Sequence, residues 1–286
     1  MKNPELYQAV IDRSTVRLFD QAVFDDEMMQ ALHAMIAQIK PLVPENQISF
    51  LQMHEINPVD LLVAQGPYGT FVISPHVLLP YTTSHRFPLL EVGFQAQQVV
   101  IHLFKQGIGS CYLGTAGREN SVIRHFDLPV NASMGASLVI GYPKNSNLRS
   151  VADFFRKPGK RTKRISFEEF FFLEKFNQSG AVPDSLMKVM KAAQRAPSAT
   201  NAQPWRFILK DNWLYLYVVP REYPFVLNQR NRNTYALHDA GLVMANISLA
   251  YEAMGEEHPW VLYDFAEASF PDYPKDVLPV GKIAIS

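Results

Sequence analysis

Two long apolar segments of the chain follow the same pattern. Residues 90–107 read LEVGFQAQQVVIHLFKQG, and residues 238–255 read HDAGLVMANISLAYEAMG. Each segment carries an acid near its start, Glu91 or Asp239, and ends on a glycine at the same distance after that acid. Apolar residues cover most of the surface in between, which predicts two helices that are buried nearly all round. The glycine suits a helix C-cap and the acid suits a helix N-terminus. The repetition indicates a duplicated unit.

The remaining elements predict a mixture of helices and strands. Amphipathic helices are expected over 26–39 and 184–196, and each is followed by a proline. Strands are expected over 69–73, 136–140, 206–209 and 213–219. Regular βαβ alternation and the GxGxxG motif are both missing, so we expect an α+β fold rather than a Rossmann unit. We expect a first unit over residues 1–165 and a second over 166–286, with the basic run 156–164 at the join.

Composition and motif content exclude several functional classes. The 27 basic and 27 acidic residues balance, whereas nucleic-acid-binding proteins carry a basic excess. The most apolar stretch, Leu61 to Pro80, is interrupted by polar residues, glycine and proline, so we expect no membrane span. The N-terminal residues lack the apolar core of a signal peptide, and Cys111 is the only cysteine, which together favour the cytoplasm. The histidines show no metal-binding spacing.

Two segments carry residues that could bind a ligand. Residues 13–17 read RSTVR, and in an extended chain Arg13, Thr15 and Arg17 point to the same side. Guanidinium and hydroxyl groups suit phosphate oxygens, although an exposed charged turn would have the same composition. Residues 196–205 read APSATNAQPW, in which two prolines end a helix and enclose a polar loop. Such a loop could present amide groups to a heteroaromatic ring, or be a structural turn.

These motifs together resemble those of the nitroreductase superfamily of FMN-dependent flavoproteins. APSATNAQPWRF is very similar to the loop that follows the first long helix in that family, and RSTVRLF resembles the opening Arg-x-Ser-x-Arg-x-Phe segment. The order of GIGSCYLG (107–114), VIGYP (139–143) and SFEEF (166–170) resembles the family's closing order. Because the loop and the opening segment lie in different halves, the chain resembles a subgroup in which two units are fused, the TM nitroreductase type.

The resemblance implies an FMN cofactor at an interface between two units, with NAD(P)H as the electron donor. By matched position, Arg13 and Thr15 would hold the FMN phosphate with backbone help near Ser14, and Arg17 would lie at the flavin N1/O2 edge. Arg161 or Arg164 would be a further phosphate contact. Backbone groups of Leu113 and Gly114 would lie near flavin N5. The isoalloxazine ring and ribityl chain would be reached from the other unit by Pro197, Ser198, Ala199 and Asn201.

The resemblance also implies a function and an assembly. We expect NAD(P)H-driven reduction of nitroaromatics, quinones or similar small acceptors, without a catalytic side chain. The alternatives are a flavin-binding protein with little turnover and a non-enzymatic scaffold of the same fold. RSTVR belongs to the first half and APSATN to the second. We therefore expect one FMN per chain, in an intrachain pseudo-dimer that is a monomer or a weak homodimer, with side chains filling the second, pseudo-equivalent site.

Overall fold

The computed structural model describes residues 2–46, 48–54, 58–69, 71–144, 163–221, 229–264 and 270–285. The chain divides into two compact units. The first unit comprises residues 12–161, and the second comprises residues 1–11 with 162–286. The division of the sequence into nitroreductase-like units at 1–165 and 166–286 stays a prediction. Among the described residues, no helix is long and apolar enough to cross a membrane.

The first unit is built on a four-stranded antiparallel sheet. Its elements are α2 (Asp26–Ile36), β1 (Ser49–His54), α3 (Pro58–Gly69), β2 (His76–Tyr81), α4 (Pro88–Lys105), β3 (Gly109–Gly114), α5 (Glu119–His125) and β4 (Ala136–Gly141). The strand order is β1-β2-β4-β3. Helix α4 packs against this sheet through an apolar cluster that includes Val99, Leu103 and Leu138. The unit therefore has a sheet with a buried helix on one face.

The second unit is built on a five-stranded sheet. Its elements are α1 (Pro4–Asp12, which ends at the unit boundary), α6 (Phe167–Phe170), β5 (Phe171–Leu173), α7 (Met187–Arg195), β6 (Trp205–Lys210), β7 (Trp213–Val218), α8 (Gln229–Met254), β8 (Trp260–Leu262) and β9 (Leu278–Ala284), with short 3-10 turns at Asp184–Leu186 and Ala199–Asn201. The strand order is β5-β6-β7-β9-β8. Strand β5 pairs with β6 in parallel, and the other pairs are antiparallel.

The first helix of the chain packs within the second unit. The Asn3 N–H donates to the Ala253 carbonyl at 2.8 Å, and the Tyr7 hydroxyl donates to the Lys188 carbonyl at 3.1 Å. The Arg195 Nε donates to the carbonyl of Ile11 at 2.9 Å. These bonds attach helix α1 to α7 and to the end of α8, across a wide separation in sequence.

The two sheets repeat one strand order. Within the five-stranded sheet, the neighbouring strands β6-β7-β9-β8 repeat the spatial order β1-β2-β4-β3 of the four-stranded sheet. Along the chain, α4 lies between β2 and β3, and α8 lies between β7 and β8. The long helices end alike as well. Gly107 and Gly255 have φ of 78° and 82°, where glycine is favoured because it lacks a Cβ. In each case the following residue bonds back to a carbonyl five residues earlier, as in a Schellman C-cap.

Several sequence expectations are confirmed and others are wrong. The helices expected over 90–107 and 238–255 lie in α4 and α8, and the strands expected over 136–140, 206–209 and 213–219 are β4, β6 and β7. The strand expected over 69–73 is wrong, because helix α3 continues to Gly69 and strand β2 begins only at His76. A short apolar run fits a buried helix as well as a strand, and periodicity alone does not separate them. The helix expected to reach residue 39 ends at Ile36.

Candidate functional site

The RSTVR segment lies along strand β3 of the first unit. Thr15 forms a parallel bridge with Ser110, and the Val16 N–H donates to the Ser110 carbonyl at 3.0 Å. A Cβ at Gly109 would lie only 2.7 Å from the Val16 Cγ2, so glycine at this position allows the close approach. The segment is thus fixed to the strand that ends with Leu113 and Gly114.

Burial separates the residues of this segment. Arg13 is 6% exposed, Arg17 and Thr15 are half-buried, and Ser14 is exposed. An exposed charged turn is therefore the wrong interpretation for Arg13. Holding a guanidinium out of water is costly unless acceptors or an anion compensate for the lost hydration. Burial of Arg13 is the feature of the first unit that fits a phosphate-binding role.

The end of β3 is held by side chains of its own unit. Leu113 is buried, and its carbonyl accepts a bond from the Ser137 hydroxyl at 3.3 Å. The Gly114 carbonyl accepts a bond from Arg118 Nη2 at 2.7 Å, and Arg118 Nη1 reaches the Leu62 carbonyl at 3.3 Å. These contacts fix the backbone at the two positions that the resemblance places near flavin N5.

The polar loop of the second unit follows helix α7 and has an unusual backbone. Thr200, Asn201 and Gln203 have φ of 53°, 60° and 48°, in the left-handed region that non-glycine residues seldom adopt. Such conformations persist only where the surroundings hold them in place. The Gln203 N–H donates to the Ser198 hydroxyl at 2.9 Å, which closes the loop on itself. The loop is therefore a built structure and not a loose connection.

Arg164 and its neighbours bind this loop. Its guanidinium donates to the carbonyls of Ala196 and Arg195 at 2.7 and 3.1 Å, and to Asn201 Oδ1 at 3.2 Å. A cation at the C-terminus of helix α7 is also favoured by the helix dipole. Gln203 adds a second tie, because its Oε1 accepts the Ile165 N–H at 3.1 Å. Arg161, expected as an alternative phosphate contact, lies outside the described residues.

Helix α8 also binds the loop, through Asp239. The two carboxylate oxygens of this buried residue each lie 3.0 Å from the Ala199 nitrogen. Burial raises the pKa of Asp239 well above its usual range, and the hydrogen bond from Ala199 opposes that rise. Burial also lowers the pKa of the preceding His238 to about 4, so that its imidazole is neutral at pH 7.

Comparison with known proteins decides the family of the chain. A family model described as Putative TM nitroreductase matches residues 5–251. The chain belongs to this nitroreductase family. The putative nitroreductase from Thermotoga maritima MSB8 has a similar fold, with a TM-score of 0.58 and 17% identity over 100% of this chain and 94% of that one. No match was found among curated proteins.

Two solved structures that contain FMN match somewhat more than half of this chain. A putative nitroreductase from Desulfovibrio desulfuricans in complex with FMN has a TM-score of 0.44 and 19% identity, over 56% of this chain and 100% of that one. A nitroreductase with bound FMN from Desulfitobacterium hafniense DCB-2 has a TM-score of 0.43 and 15% identity, over 58% of this chain and 100% of that one.

The residues expected to bind the cofactor fall into two groups in this nitroreductase. The first unit brings the RSTVR segment onto β3, the strand that also carries Leu113 and Gly114. The second unit brings Arg164 into contact with the polar loop. That loop contains Pro197, Ser198, Ala199 and Asn201. Each group lies within its own unit, and the assignment of both groups to one cofactor stays a prediction.

Sequence reasoning missed the polar residues that hold the loop. The interpretation of Asp239 as an acid near the N-terminus of its helix is wrong, because helix α8 begins at Gln229. The residue lies well inside the helix, and its carboxylate binds the loop. An acid at the same place in both apolar segments was a signal, because burying a carboxylate is costly unless hydrogen bonds compensate for it. The sequence marks Gln203 only as one of several polar residues in the loop.

Proposed function

We propose that this nitroreductase is an FMN-dependent oxidoreductase that takes electrons from NAD(P)H and passes them to a small acceptor such as a quinone or a nitroaromatic compound. The single observation that carries the proposal is the buried Arg13, fixed with Thr15 beside β3 where the resemblance requires a phosphate-binding segment. The sequence supports the proposal as well, because the RSTVR and APSATN motifs both occur, one in each half of the chain.

The chemistry of the described residues fits an FMN phosphate. Arg13 presents a planar donor fork that matches phosphate oxygens, and Thr15 adds a hydroxyl donor. The guanidinium is largely desolvated, so an anionic group beside it would interact more strongly than at an exposed arginine. Riboflavin lacks the phosphate, and we therefore propose that the protein prefers FMN to riboflavin.

The polar loop fits a heteroaromatic ring and a polyol chain. It carries a hydroxyl at Ser198 and an amide at Asn201, and hydrogen bonds from the loop to Asp239 and Arg164 hold it in place. Prearranged polar groups bind a ligand more tightly than mobile ones, because less conformational freedom is lost on binding. We propose that Pro197, Ser198, Ala199 and Asn201 contact the ring and the ribityl chain.

The residues of this chain would position and tune the cofactor without an acid or base side chain of their own. A bound flavin supplies the redox chemistry, exchanging a hydride with nicotinamide and electrons with the acceptor. We propose that Arg17 lies at the N1/O2 edge and stabilises the negative charge that reduction places there. Backbone groups of Leu113 and Gly114, whose carbonyls are already held by Ser137 and Arg118, would keep the N5 side in place.

We also infer that the chain arose by internal duplication. The support is the shared strand order of the two sheets and the matching glycine caps of α4 and α8. In the family arrangement, a homodimer repeats each interface element twice. Here RSTVR belongs to the first unit and the APSATN loop to the second, so only one complete set of segments exists per chain. We therefore propose one FMN per chain, contacted by segments of both units.

One spectroscopic experiment tests the proposed function. Purified protein is saturated with FMN, passed through a desalting column, and examined for flavin absorbance. Anaerobic NADH or NADPH should bleach the flavin band, and a quinone or nitroaromatic compound should restore it. Retention of FMN without bleaching by either nucleotide would favour a flavin-binding protein with no turnover. Failure to retain FMN at all would favour the non-enzymatic scaffold.

A further inference from the structure

A buried carboxylate occupies corresponding positions in the two units. In the first unit, Glu91 on α4 is completely buried and its oxygens accept the N–H groups of Leu42 and Val43 at 2.7 and 2.9 Å. In the second unit, Asp239 on α8 accepts the N–H of Ala199. Both acids therefore bind backbone amides of the loop that precedes the first antiparallel strand of their unit, β1 or β6.

The two loops differ in the groups they present. The loop of the first unit contains PLVPEN and is also tied by Asn46, whose side chain donates to Glu91 at 3.2 Å. The loop of the second unit contains PSATNAQ, in which Thr200, Asn201 and Gln203 have left-handed backbones. A buried carboxylate thus binds both loops, although only the loop of the second unit matches the flavin-binding motif.

We propose that Asp239 is a positioning residue for cofactor binding: its carboxylate fixes the Ala199 amide, and so sets the loop 196–203 in its binding conformation before FMN arrives. This role rests on the proposed function. Asp239 binds the loop from α8, while the bonds of Arg164 to Asn201 and of Gln203 to the Lys163 carbonyl tie the loop to the segment 163–165. Of the three left-handed residues, Asn201 and Gln203 are held by these bonds directly, and Thr200 lies between the bonded residues Ala199 and Asn201.

The contact with Asp239 is suited to this role because of where it acts. Ala199 begins the 3-10 turn that contains Thr200 and Asn201, so its amide sets the direction in which the turn leaves Ser198. The carboxylate is buried, and water cannot readily replace it as the acceptor. Loss of the acceptor would leave the Ala199 N–H without this partner and allow the turn to rearrange.

The test compares Asp239→Leu with a mirror variant, Glu91→Leu. Both variants remove a buried carboxylate that binds loop amides, but only Asp239 binds the loop that matches the flavin-binding motif. In the cofactor-free protein, hydrogen exchange of peptides covering 196–203 should become faster in Asp239→Leu and stay unchanged in Glu91→Leu. Hydrogen exchange of peptides covering 40–46 should become faster in Glu91→Leu and stay unchanged in Asp239→Leu. The FMN dissociation constant should rise about 10-fold in Asp239→Leu, the typical effect of leaving one buried N–H donor without its acceptor.

Two further variants separate positioning from general stability. Asp239→Asn keeps one acceptor oxygen and should recover most of the FMN affinity; it also carries the test if Asp239→Leu does not fold. Asn246→Ala removes another buried bond of α8, the 2.9 Å hydrogen bond that the Asn246 side chain donates to the Ala192 carbonyl on α7. It should lower thermal stability and leave FMN affinity unchanged. Equal weakening of FMN binding by Asn246→Ala or Glu91→Leu would overturn the positioning role.

The outcomes distinguish this role from the proposed function. Wild-type protein that binds FMN while Asp239→Leu binds it equally well would overturn the role of Asp239 and leave the cofactor assignment intact. Wild-type protein that binds no FMN would overturn the proposed function, and the positioning role with it. Faster exchange of the loop in Asp239→Leu, together with weaker FMN binding and recovery in Asp239→Asn, is the result that supports the proposal.

Discussion

Replacing Arg13 with methionine should weaken FMN binding and leave riboflavin binding unchanged. Arg13 is only 6% exposed. Its segment is held beside β3 by the bridge between Thr15 and Ser110. Methionine keeps an apolar stem of similar length, so the packing around the side chain changes little while the guanidinium is lost. Riboflavin shares the ring and the ribityl chain with FMN but has no phosphate for Arg13 to bind.

The expected magnitude follows from the kind of bond that is lost. A hydrogen bond to a charged group contributes about 1.5–3 kcal/mol, and the buried location of Arg13 limits competition from water. The FMN dissociation constant should therefore rise about 10- to 150-fold in Arg13→Met. Quenching of flavin fluorescence during titration measures the dissociation constants of FMN and riboflavin for both proteins.

A surface variant provides the control for net charge. Arg124 lies in the last turn of α5 in the same unit and is exposed, so Arg124→Met removes the same charge without touching the RSTVR segment. It should leave both flavin affinities unchanged. If Arg13→Met weakened FMN and riboflavin equally, Arg13 would support the fold or the ring and not the phosphate. Wild-type protein that binds riboflavin as tightly as FMN would refute the phosphate assignment itself.

Three further predictions concern potential, kinetics and pH. Arg17→Met should lower the midpoint potential of bound FMN by about 30–60 mV in an equilibrium redox titration, because the reduced flavin loses a cation; an unchanged potential would place Arg17 elsewhere. Steady-state kinetics with NAD(P)H and a quinone should give parallel double-reciprocal lines, and intersecting lines would argue against one shared pocket. Because burial lowers the pKa of His238 to about 4, only the unfolded chain takes up its proton as pH falls below about 6.5. Urea unfolding should show that His238→Gln avoids about 3 kcal/mol of the stability loss between pH 7 and pH 4; the same pH dependence in both proteins would contradict this.

The core helices could be predicted because their signal is local. Apolar residues over nearly the whole surface of 90–107 and 238–255 require burial, and a glycine at the end fits a left-handed cap. The polar loop could be placed for a similar reason, since its two prolines prevent helix α7 from continuing. The family resemblance of RSTVR and APSATN then led to the family assignment, which the match over residues 5–251 confirms.

The features that could not be predicted depend on contacts between distant parts of the chain. Strand β5 has only three residues and pairs in parallel with β6, and no pattern within FFL specifies that partner. The apolar run around residues 69–73 follows a kink at Gly66, where φ is 66°, and helix α3 continues past it. The hydrogen bond between the Ala199 N–H and Asp239 joins residues 40 positions apart, and only the fold brings them together.

The ratio of flavin to protein tests the central claim most directly. A sample fully loaded with FMN is freed of excess cofactor, and its flavin content is measured by absorbance while its mass is measured by light scattering. We predict one FMN per 32.5 kDa chain, bound even when the protein is a monomer, because each chain carries one RSTVR segment and one APSATN loop. Two flavins per chain, or FMN bound only by a dimer of chains, would contradict the account.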